Sequence, residues 1–63
     1  MTTVMKVLAR ANGWELVQDL NSCISLHHGQ AVFLVSSAIE GLREIPDMET
    51  RRVMAKQIFD GGI

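Results

Sequence analysis

The side chains able to do chemistry in this chain of 63 residues are few and scattered. Cys23 is its single cysteine, and His27 and His28 are its only histidines. If residues 23–28 form a strand, His27 and His28 point to opposite faces, and Cys23 and His27 lie about 13 Å apart on one face at roughly 3.3 Å per residue. That spacing does not gather a metal-ligand set, so neither metal nor cofactor is expected. Ser22, Ser25, Ser36 and Ser37 stand in no nucleophile motif, and no glycine-rich run joins a strand to a helix as a phosphate cradle requires. The composition therefore points away from catalysis. The His27-His28 pair beside Gly29 is the best remaining chemical candidate and reads more simply as a solvated turn.

A chain of this length buries about 60% of its unfolded surface and needs a staple or a partner. A lone cysteine excludes an internal disulfide and reads as a buried thiol in a reducing compartment. With disulfide and metal set aside, self-association is the expected staple. The formal charge of −1 gives no global attraction to nucleic acid or to an anionic membrane. The first residues lack the apolar core of a signal peptide, and Ala31 to Val35 is far shorter than the ~20 residues of a membrane span. These features predict one small soluble domain over residues 1–63, located in the cytoplasm.

The elements follow from periodicity. Val4, Val7, Leu8 and Ala11 fall at helical spacing, with Thr2 or Thr3 as a cap and Asn12-Gly13 as a stop, which predicts an N-terminal helix. From Trp14 the pattern alternates: Trp14, Leu16, Gln18 and Leu20 share one face of a strand, and Glu15, Val17 and Asp19 the other. Turn chemistry at Asn21-Ser22 and Gly29-Gln30 separates a second strand over residues 23–28 from a third over residues 31–36. Ser37 with Glu40 forms a capping box, so a helix starts at Ala38 with Ile39, Leu42 and Ile45 as its apolar stripe, and Pro46 ends it. Asp47 caps a last helix to about Phe59, stopped by Gly61-Gly62. The expected fold is α+β: an N-terminal helix, a three-stranded antiparallel meander and two C-terminal helical segments packed on one face of the sheet.

This order resembles the αβββα order of double-stranded RNA-binding domains over residues 4–45, in topology alone. That family binds phosphates through lysines at the start of its second helix. The matching residues 37–44 here carry Glu40, Glu44 and Arg43, so the resemblance implies no duplex-RNA binding.

Binding is the remaining reading, and it has two addresses. Ala31, Val32, Phe33, Leu34 and Val35 are apolar on both faces of a strand placed at a sheet edge, where an uncharged strand invites pairing with a second copy or a target. The last helix carries Glu49, Arg52, Lys56 and Asp60 on one stripe and Met48, Met54, Ala55, Ile58 and Phe59 opposite, with Arg51 inside the apolar arc. We therefore expect a homodimeric protein-binding module that inhibits or adapts a protein target, comparable by analogy to phage-encoded accessory proteins. Its contacts are Phe33, Leu34, Val35, Met48, Arg51, Met54 and Ile58. The alternative expectation is a small DNA-binding regulator using the helix pair as a helix-turn-helix, with Arg51, Arg52 and Lys56 on its recognition helix.

Overall fold

The computed structural model describes residues 5–60. Strands β1 (Lys6–Ala11), β2 (Trp14–Gln18), β3 (Ile24–His28) and β4 (Ala31–Val35) are followed by helices α1 (Ala38–Glu44) and α2 (Met48–Phe59). The strands form one antiparallel sheet in the order β1-β2-β3-β4, so β1 and β4 are its edges. This corrects the expected fold: among the described residues the chain starts with a strand where a helix was predicted, and the meander has four strands. Thr2, Thr3 and Val4, invoked as cap and first apolar position, and Gly61-Gly62, invoked as a stop, lie outside the described residues. With its first helix replaced by a strand, the resemblance to double-stranded RNA-binding domains ends.

A β-bulge explains the misreading. The register passes from Val7↔Val17 to Ala9↔Leu16, leaving Leu8 as the extra residue. Two residues then oppose one, and the alternation is reset. Leu8, Ala9 and Ala11 all pack toward the core, whereas Arg10 is exposed. A bulged strand thus shows the i, i+3 spacing of a helix. Asn12-Gly13 is not a helix stop. Asn12 at φ 51° and Gly13 at φ 88° make the two-residue turn of a hairpin closed by Ala11 and Trp14. Both central residues at positive φ match the right-handed twist of the strands, which is why Asn-Gly favours this turn.

The other turns follow the same logic. Asp19 Oδ1 accepts hydrogen bonds from the backbone N–H groups of Asn21 and Cys23, at 2.8 and 2.9 Å, and Ser22 takes the left-handed conformation at φ 67°. Cys23 lies in this loop and is exposed, contrary to its expected burial. Gly29, at φ 61°, turns β3 into β4.

Both helices lie on one face of the sheet, α2 over β1 and α1 over β3 and β4. The row Ala9–Leu16–Leu26 runs across the sheet beneath them, and Leu42, Ile45 and Met54 complete the buried cluster. Ser37 caps α1 by accepting from the Glu40 N–H at 3.2 Å, but the Glu40 carboxylate accepts from the Ser36 hydroxyl at 2.7 Å, so the expected capping box closes through a different serine. Leu42 and Ile45 of the expected stripe are buried; Ile39 is exposed. Gly41 lets α1 sit directly on β2: a Cβ at this position would lie 2.6 Å from Leu16 Cδ1 and 3.4 Å from Val35 Cγ2. Pro46 disfavours helical backbone at Ile45, which is extended at φ −81°, ψ 116°.

Candidate functional site: an open strand edge

The two edges of the sheet are treated differently. In a hairpin closed by a two-residue turn, the flanking pair exchanges both backbone bonds and the next pair exchanges none, so its N–H and C=O groups point outward. For β1 the first outward-facing residue is Arg10. Its N–H donates to Gln57 Oε1 and its C=O accepts from Gln57 Nε2, both at 2.9 Å. The carboxamide of α2 thereby stands where a neighbouring peptide would stand. For β4 the pair His28↔Ala31 closes the turn, so the outward-facing residues are Val32 and Leu34. Among the described residues, no hydrogen bond reaches their backbone groups from outside the sheet.

Side chains on β4 are equally uncovered. Val32 is 57% exposed and Leu34 85% exposed on the face away from the helices, and Phe33 is 44% exposed on the helix face. The cause is the length of α1. Its seven residues cover the Val35 end of the strand, where Gly41 brings them close, and leave the middle bare. An apolar strand without charge or proline, exposed on both faces with free backbone groups, is what most proteins avoid at an edge.

The structure places the other expected contact residues apart from this edge. Met54 is fully buried in the core and Ile58 packs against it, while Met48 is exposed at the start of α2. Arg51 is held within the fold: Nη2 donates to the C=O of Ile45 at 2.6 Å and of Arg43 at 3.3 Å, and Nε to Ile45 at 3.2 Å. These are the orphan carbonyls at the C-terminus of α1, where a cation is also favoured by the helix dipole. Replacing Arg51 with alanine is therefore expected to cost about 1–2 kcal/mol of stability, read as a lower urea midpoint, with α1 amides losing hydrogen-exchange protection first. Arg52 and Lys56 are exposed and make no such bonds among the described residues.

A second feature sits at the hairpin end of the sheet. An open depression of about 450 Å³ is bordered by Arg10, Trp14, Glu15 and His27. Trp14 stacks on His28 with ring centroids 3.9 Å apart and planes 4° from parallel. The pair arises from the register, which sets Trp14 directly opposite His28. Arg10 Nη1 pairs loosely with Glu15 at 3.8 Å. His27 Nε2 lies 3.0 Å from Ser25 Oγ, a nucleophile-to-base distance. Ser25, however, is outside the depression and sits in a strand paired on both sides, so neighbouring N–H groups are spent on the ladder and none is left to stabilise an oxyanion. Among the described residues, no three His, Cys, Asp or Glu side chains converge, and no helix is long and apolar enough to cross a membrane.

The fold and edge define a four-stranded antiparallel meander with helices on one face and one strand left open. No protein-family model, curated protein or solved structure matches the chain.

Proposed function

We propose that the chain is a non-enzymatic protein-binding module that captures an extended segment of a protein target along β4, acting as an inhibitor or adaptor of that target. The observation that carries this reading is the contrast between the edges: Arg10 on β1 is masked by Gln57, whereas Val32 and Leu34 on β4 are bare. Strand addition takes its affinity from main-chain bonds and its selectivity from alternate side chains. Here Phe33 meets the ligand on one face and Val32 and Leu34 on the other. A free, exposed Cys23 thiol suits a reducing compartment, so the reading includes a cytoplasmic site of action.

Selection from a displayed peptide library tests it. Enriched peptides are expected to be extended and apolar at alternate positions, and to bind Leu34→Pro at least about tenfold more weakly, a loss of roughly 1.4 kcal/mol. Proline there removes an outward N–H and leaves the bonds to β3 intact. Peptides that bind the proline variant as well as wild type would overturn the reading.

A second reading, a DNA-binding regulator, draws on the short connection between the capped helices α1 and α2 and on exposed Arg52 and Lys56. Arg51 is already committed to the carbonyls of α1, which thins that patch. The reading requires duplex DNA binding that weakens steeply with salt and is abolished by Arg52→Glu.

A further inference from the structure

We infer that the first occupant of the β4 edge is a second copy of β4, paired antiparallel about a two-fold axis beside Phe33, so that dimerisation and target capture compete for one strand. This rests on the strand-addition reading and specifies the register within it. Because Val32 and Leu34 face outward, only registers that match these two residues across the dimer satisfy both sets of backbone groups. Centring the axis on Phe33 places Val32 opposite the partner's Leu34, each exchanging both N–H···O=C bonds, and Ala31 opposite the partner's Val35. The strand then matches itself from end to end. Centring on Val32 or Leu34 instead carries one end of the strand past Ala31 or Val35 into the flanking turn or helix cap.

Composition fits the same register. β4 holds no charge and no proline, so a second copy brings neither repulsion nor a missing donor. Phe33 and the partner's Phe33 would form a non-hydrogen-bonded pair, the closer of the two antiparallel spacings, on the helix side. Val32 and the partner's Leu34 would meet on the opposite side, covering the most exposed apolar side chain of β4. A five-residue strand is about 17 Å long, so strand pairing alone stays below the roughly 1,200 Å² of a standard interface. The dimer is accordingly weak and concentration-dependent, and a target strand can displace it.

Analytical ultracentrifugation and disulfide trapping test this together. From about 10 μM to 1 mM, a range suited to a weak interface, wild type should pass from monomer to dimer. Leu34→Pro and Leu34→Lys should stay monomeric with unchanged circular dichroism. In a Cys23→Ser background, Phe33→Cys should form a disulfide-linked dimer on mild oxidation about tenfold faster than Val32→Cys or Leu34→Cys alone, because only residue 33 faces itself at bonding distance. Fastest trapping at 32 or 34, or a dimer that persists in both Leu34 variants, would overturn the inference. A wild type still monomeric at 1 mM would overturn it too. In that case, library-selected peptides that bind wild type and lose binding to Leu34→Pro would leave strand addition standing, and selected peptides that bind both alike would remove both.

Discussion

Replacing Gly41 with valine should lower the stability of the chain by about 2–3 kcal/mol, from a total of roughly 3–9 kcal/mol for its length. The cause is steric. The first added carbon alone would sit 2.6 Å from Leu16 Cδ1, and Leu16 is fully buried between Ala9 and Leu26, so any shift of its tip must be absorbed by the packed core. Valine gains a few tenths of a kcal/mol in helix propensity over glycine, too little to offset the overlap. A thermal midpoint lower by roughly 10–20 °C is expected for a domain of this size. Gly41→Ala should act in the same direction with smaller effect, and the loss should shrink in a Leu16→Val background, where the obstructing methyl is withdrawn. Equal losses in both backgrounds would show that the contact is not the cause. The same contact sets how far α1 covers β4, so lifting the helix should also expose Val35.

The second large effect is expected at Thr50. Its hydroxyl is fully buried; it donates to Asp47 Oδ2 and accepts from Asn12 Nδ2 at 2.9 Å, tying the N-cap of α2 to the turn between β1 and β2. Thr50→Val keeps the shape and removes both hydroxyl bonds; the exposed Asn12 amide can turn to water, so the cost is about 0.5–1.5 kcal/mol per bond lost. It should also change the response to acid. The Thr50 hydroxyl, more than any other group, holds the Asp47 carboxyl below its usual value; partial desolvation opposes it, and the N–H groups of Glu49 and Thr50 assist. A carboxyl lowered by folding stabilises the fold above its unfolded pKa, and the contribution is lost as pH falls through the folded one. Wild type should therefore lose stability below about pH 4 more steeply than Thr50→Val, as followed by urea midpoints between pH 6 and 3. Parallel profiles would contradict the assignment. Asp47→Asn should flatten the profile while keeping an N-cap.

The parts of this fold that were legible in the sequence are those whose signals are local. Ser37 and Asp47 mark the starts of α1 and α2 through their own oxygens, Pro46 disfavours continuation beyond Ile45, and Trp14 and Leu16 share the face of β2 under the helices, although Val17 is buried on the other face. The N-terminal strand was hidden because a bulge at Leu8 turns period two into an apparent helical period. The Asn12-Gly13 dipeptide held the correcting signal, since a hairpin turn requires what it supplies. On the last helix, amphipathicity separated Met54 from Arg52, but spacing alone gave no means of telling that Arg51 would find the carbonyls of Ile45 and Arg43. The open edge was legible in part. The apolar run from Ala31 to Val35 stood out, whereas its exposure depends on the shortness of α1, and its contrast with β1 depends on Gln57, 47 residues from Arg10.

Amide hydrogen exchange tests the difference between the two edges most directly. In a dilute sample, the Val32 and Leu34 amides should exchange as solvent-exposed groups while the Arg10 amide, also at an edge, is protected by Gln57; protection at Val32 and Leu34 should then rise with protein concentration. Val32 and Leu34 amides as protected at dilution as that of Phe33, or an unprotected Arg10, would contradict the account.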